Sequence, residues 1–204
     1  MRKKFIVCLT ALVVAVAMMP ASAFAASKAK MSTYQVIKSG NTVYCAGEGD
    51  SIYKVRVKDG KVKDANKILK ADFVMGDYSY VWGMKKKGGY LYYAMGSEGT
   101  WSVLYRISTS GGKPKMLAEN PGCFTIKKNK LYVELYDEDQ DKTRYRVMNL
   151  NGKNKKKTSV HPVNTMKESN AKGYSVKYKE SGKYIKTYLK TPKGSFYLGK
   201  SRYE

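Results

Sequence analysis

Apolar and aromatic positions along this chain fall in short runs separated by turn residues, and one stretch shows the arrangement most fully. Tyr90-Leu91-Tyr92-Tyr93 follows Gly88-Gly89, a glycine-flanked loop intervenes, and Val103-Leu104-Tyr105-Arg106-Ile107 ends in Ser110-Gly111-Gly112. Aromatic and β-branched runs bounded by glycine pairs predict a β-hairpin followed by a turn. The same order of parts recurs. Val43-Tyr44, Leu91-Tyr92 and Leu131-Tyr132 begin 48 and then 40 residues apart, and the runs starting at Ile52, Leu104 and Arg144 are 52 and 40 apart. Four short strands at a period of about 40 to 45 residues is the signature of propeller blades.

The reading is therefore an all-β, β-propeller-like domain over residues 34–204. Its four repeats span about 34–75, 78–118, 121–160 and 161–204. In the first repeat the strands are read at residues 34–37, 42–46, 51–57 and from Lys67 onward. The last repeat is degenerate, with strands near 173–179, 184–189 and 196–198. Residues 90–95 are apolar or aromatic at both odd and even positions, so both faces of that strand are expected to be covered, as between stacked blades. Four such copies are expected to close as a monomeric ring.

Ahead of the repeats, Met1-Arg2-Lys3-Lys4, the apolar residues 5–19 and Ala23-Phe24-Ala25 form a charged start, a hydrophobic run and a small-x-small site. That combination predicts a signal peptide over residues 1–25, cut after Ala25. The apolar run is short for a bilayer span, so no transmembrane anchor is expected. Residues 26–33 lack apolar periodicity and read as a flexible leader. The expected location is secreted, extracellular or cell-wall associated.

Charge alters the picture more than composition does. The chain carries +23, and loss of Arg2, Lys3 and Lys4 with the leader leaves +20. Such a surface attracts polyanions, so the expected partner is an anionic cell-wall polymer or another envelope protein, with no specific recognition of nucleic acid. Contact is expected at the lysine-dense segments Lys85-Lys86-Lys87 and Lys153, Lys155, Lys156 and Lys157, both read as turns. The alternative function is a carbohydrate-recognition module using exposed aromatics of the second repeat, Trp82 and Trp101, since exposed rings beside polar groups suit sugars.

Chemistry has few footholds. His161 is the only histidine, and no Gly-x-Ser-x-Gly or His-Glu-x-x-His accompanies it, so no enzyme activity and no cofactor are expected. Cys45 and Cys123 lack the Cys-x-x-Cys spacing of redox or zinc sites; a bridge between them is left open. Asp137, Asp139 and Asp141 alternate as calcium loops begin, but Lys142 and Met148 occupy the positions where such a loop needs glycine and glutamate, leaving a weak calcium candidate.

The Leu-Tyr-Arg-Ile pattern, followed by a Ser-Gly-Gly or Asn-Gly turn and Lys-x-Leu, resembles the repeats of the bacterial domain of unknown function 5050. That domain is a β-propeller related to those of low-density-lipoprotein-receptor-like proteins. The resemblance covers residues 34 to about 160, and the last copy lacks the Leu-Tyr-Arg core. It implies a propeller fold and an extracellular binding role, and it brings no catalytic residues.

Overall fold

A computed structural model describes residues 36–47, 51–69, 80–96, 102–162 and 171–202. The signal-peptide and leader readings lie outside them. The described residues form fifteen strands and no helix, in four antiparallel sheets taken in chain order.

The first sheet is β1 (Val36–Ser39), β2 (Thr42–Ala46), β3 (Ile52–Lys58) and β4 (Lys61–Leu69). The second is β5 (Tyr80–Lys87), β6 (Tyr90–Gly96), β7 (Ser102–Ser108) and β8 (Lys115–Glu119). In the third, β9 (Pro121–Lys127), β10 (Lys130–Asp137), β11 (Lys142–Asn149) and the two-residue β12 (Lys156–Lys157) pair side by side. The fourth shows β13 (Ser175–Ser181), β14 (Tyr184–Thr191) and β15 (Gly194–Arg202). Successive strands joined by short turns give the up-and-down meander of a propeller blade, and the molecule is an all-β, propeller-like protein.

Strand β4 starts earlier than the expected Lys67. Its first six residues, Lys61 to Asn66, are charged, polar or only half-buried, so no apolar alternation announces them. Pairing with β3 makes them a strand, with Arg56 opposite Asp64 and an ion pair of 2.7 Å between them. Both partners are well exposed, so the pair contributes little stability and instead marks a solvated outer edge.

Core packing runs in three layers. Between the first and second sheets lie Tyr44, Ala46 and Ile52 against Leu91, Tyr93, Met95 and Tyr105. Tyr92, Ala94 and Leu104, on the other face of the second sheet, pack against Phe124, Leu131, Val133 and Met148 of the third. The other face of the first sheet places Val43, Cys45, Val55 and Val57 against Val176 and Leu189 of the fourth. Strands β2, β3, β6 and β7 are thus covered on both faces, as the unbroken apolar runs require.

The apolar clusters of the described residues link the sheets in the order fourth, first, second, third, with none described between the third and the fourth. The reason is visible in the strands. Lys177, Tyr188 and Tyr197 are register partners across β13, β14 and β15, as are Lys179, Lys186 and Lys200, and partners across a sheet share a face. A face so rich in cations cannot be buried without compensating charge.

Polar contacts seat the fourth sheet on the first. The buried Thr191 hydroxyl donates to the Gly60 carbonyl at 2.6 Å and accepts the Lys193 N–H at 3.2 Å, tying the β14–β15 turn to the β3–β4 turn.

Candidate functional site

The hairpins joining the first two strands of each sheet are equivalent in register. Ser39 pairs with Thr42, Lys87 with Tyr90, Lys127 with Lys130 and Ser181 with Tyr184. The first turn residue is in the left-handed region each time: Gly40 at φ +58°, Gly88 at +56°, Lys128 at +47° and Gly182 at +58°. A tight hairpin demands that conformation, and glycine adopts it freely at three of the four positions.

Because β1 lies beside β5 and β5 beside β9, three of these hairpins converge. Between them is a cavity of about 320 Å³ whose lining includes Lys38, Lys85, Lys86, Lys87 and Lys128. Ile37, Met84 and Ile126 supply its apolar part, and none of the described residues lining it is acidic. Several ammonium groups are held near the turns. Lys38 donates to the Gly40 carbonyl at 2.8 Å and Lys86 to the Gly88 carbonyl at 3.0 Å, while Lys85 reaches the Thr125 hydroxyl of β9 at 3.4 Å. Five lysines gathered at one recess make it a place of positive potential that favours a bound anion. The low-dielectric wall concentrates the field in the recess.

The expected binding segments separate in space. Lys85, Lys86 and Lys87 belong to the end of β5, not to a turn, and the first two are half-buried. The other group stays exposed at the far edge of the third sheet, with Lys153 and Lys155 in the connection after β11 and Lys156 and Lys157 forming β12. Lys157 lines a different recess of about 430 Å³ with Arg144, Arg146, Tyr145 and Thr158. Trp82 falls on β5 opposite Ala94; its side chain, and Trp101 entirely, lie outside the described residues.

The acidic hairpin uses its carboxylates locally. Asp137 accepts from Arg144 at 2.7 Å and from the Gln140 N–H at 3.2 Å, and Asp141 accepts the Tyr136 hydroxyl at 2.6 Å. That last contact holds the Tyr136 phenol above its ordinary pKa, because the neighbouring carboxylate disfavours the phenolate. Asp139 lies in the same turn, and among the described residues no three acidic, histidine or cysteine groups gather as a metal site. His161 stacks on Tyr145 with ring centroids 4.0 Å apart. Cys45 is buried between the first and fourth sheets, Cys123 is half-buried on β9, and both are free thiols.

Lys38 and Lys128 escaped sequence reasoning because each stands alone or paired in the chain. The signal available was phase: each sits at or beside the hairpin turn of its repeat, where Lys86 and Lys87 sit in theirs.

No protein-family model matches the chain, and no curated protein matches it. Among solved structures it is similar to the N-terminal domain of Nup159, at 14% identity and a TM-score of 0.41, covering 76% of this chain and 38% of that one. It is similar also to the computationally designed Ika4 protein, at 12% identity and 0.40, covering 80% of this chain and 89% of that one. A prolyl endopeptidase matches at 16% identity and 0.45, over 93% of this chain and 33% of that chain. The chain thus spans well under half the length of the first and last of these. Among the described residues no helix is long and apolar enough to cross a membrane.

Proposed function

We propose that this is an exported, non-enzymatic binding module of the domain 5050 propeller type, which associates with anionic polymers of the cell envelope. Its location would be secreted or cell-wall associated, following the signal peptide read in residues 1–25. The observation that carries the reading is the convergence of five lysines from three sheets on one recess, with no acid among the described residues that line it. A chain of net charge +23 could spread its lysines evenly for solubility; here distant segments bring them to one place. Binding would proceed by displacement of the polymer's condensed counterions, so affinity falls log-linearly with added salt.

The experiment is retention and equilibrium binding on linear polyphosphate across a salt series, using the full chain. Joint substitution Lys38→Gln, Lys86→Gln and Lys128→Gln is expected to weaken binding and to flatten the salt slope by about two, at roughly 0.7 for each phosphate left without its lysine. The rim variant, with Lys153, Lys155, Lys156 and Lys157 all changed to Gln, is expected to change it less. An unchanged slope in the first variant, or a larger loss in the second, overturns the assignment to the recess.

A further inference from the structure

The outer face of the fourth sheet is a second strongly marked surface of the molecule, and none of its residues is among those lining the lysine-lined recess. Register fixes its membership. Ser175, Lys190 and Ser195 are partners across the three strands, as are Lys177, Tyr188 and Tyr197; Lys179, Lys186 and Lys200; and Ser181, Tyr184 and Arg202. The opposite face carries Val176 and Leu189, which pack on the first sheet, so these four rows point away from the core. They hold six cations, three tyrosines and three serines, with no acidic residue; Glu180 pairs with Ile185 on the other face. Among the described residues no apolar cluster covers them.

The side chains on this face are organised. The Lys200 ammonium sits 4.1 Å from the centroid of the Tyr184 ring. Tyr188 and Tyr197 meet at 5.5 Å with their planes tilted by 57°, and Tyr197 remains 47% exposed. A bulge opposite Thr187 and Tyr188 keeps Tyr197 and Lys200 on one side although the alternation between them would otherwise separate them.

We propose that this face binds an acidic polysaccharide lying across the sheet, with carboxylates or sulfates on the lysines and sugar rings against the tyrosines. Charge complementarity requires a polyanion. The rings decide its class. A single-stranded nucleic acid needs open aromatic faces on which successive bases stack, and here one ring face is capped by Lys200 while the other two rings are set at an angle. An angled pair of phenols and three serine hydroxyls suits a hydroxyl-rich chain, where amphipathic rings contact the sugar and polar groups take its oxygens. The site is independent of the recess, and stands or falls by different residues.

The test uses the full chain with polygalacturonate, neutral dextran and single-stranded poly-dT as probes. Polygalacturonate is expected to bind best. Tyr188→Ala with Tyr197→Ala is expected to weaken it about tenfold with an unaltered salt slope, and Tyr188→Phe with Tyr197→Phe to retain most of it. Lys186→Gln with Lys200→Gln is expected to weaken binding and to flatten the slope by roughly one to two. All four substituted side chains lie on a solvated face, and unchanged thermal unfolding verifies that each variant is folded. The proposal is overturned if the double Ala variant binds polygalacturonate as the parent does, if poly-dT binds as tightly and loses as much on ring removal, or if only the variant in the recess lysines loses binding.

Discussion

At the scale of single residues, burial sets the chemistry of the two cysteines. Cys45 is fully enclosed between the first and fourth sheets, and burial pushes its thiol far above the ordinary range because a thiolate there would lose its hydration. Cys123 is shifted the same way, first by desolvation and then by the nearby Glu134 carboxylate. Neither thiol is primed as a nucleophile, which requires a lowered pKa. The consequence for stability has a definite sign. Below the ordinary thiol pKa both folded and unfolded chains carry a neutral Cys45 and nothing is lost. Above it the unfolded chain releases the proton and the folded one does not, so stability falls as pH rises, by at most about 1.4 kcal/mol per pH unit for one group. Tyr44, Tyr53 and Tyr92, raised chiefly by burial, add the same trend at higher pH. Urea unfolding at pH 7 and pH 9.5 is expected to show a loss in the parent that is smaller by roughly 1 kcal/mol in Cys45→Ala. Equal losses in the two proteins would contradict it.

At the scale of elements, β7 tests the two-sided packing. Leu104 is fully buried against the third sheet while its neighbours Val103 and Tyr105 pack on the first. Leu104→Ala is expected to cost about 2 to 5 kcal/mol, through reduced burial and an unfilled cavity, and to lower the melting temperature accordingly. An unchanged melting temperature would mean that this face is solvated. Strands of this kind were legible because apolar and aromatic residues at both odd and even positions imply cover on both sides. The start of β4 was not legible, since Lys61 to Asn66 are held by pairing with β3 and not by their own pattern. The candidate site was legible only in pieces. Lys85-Lys86-Lys87 stands out as a run, whereas Lys38 and Lys128 join it through sheet packing over more than 40 residues of chain. On the fourth sheet, alternation in Ser175-Val176-Lys177-Tyr178-Lys179 carried the cationic face in plain view, but three strands had to be aligned before the lysines and tyrosines formed one surface.

At the scale of the whole molecule, the decisive property is that the sheets pack in a series with two unequal kinds of member. Among the described residues, the first and second sheets are buried on both faces, and the third and fourth each show one packed face. In stacked architectures stability is close to a sum of each unit's own stability and its interfaces with neighbours, so an end member resting on a single interface opens at lower free energy than the centre. The fourth sheet is the weaker end, because no described apolar cluster covers its outer face and the six cations there repel one another. Native-state hydrogen exchange is expected to find the slowest amides in β2, β3, β6 and β7 and an earlier, separate opening of β13 to β15. Added polygalacturonate is expected to slow exchange in β13 to β15 selectively, since a ligand that binds only the folded form stabilises what it touches. Raising salt should remove that protection by weakening the polyanion contacts, while the central strands keep theirs. Exchange of β13 to β15 together with β6 and β7, in a single global event, would show that the fourth sheet is held as firmly as the centre, and the series would have to be replaced by a closed ring.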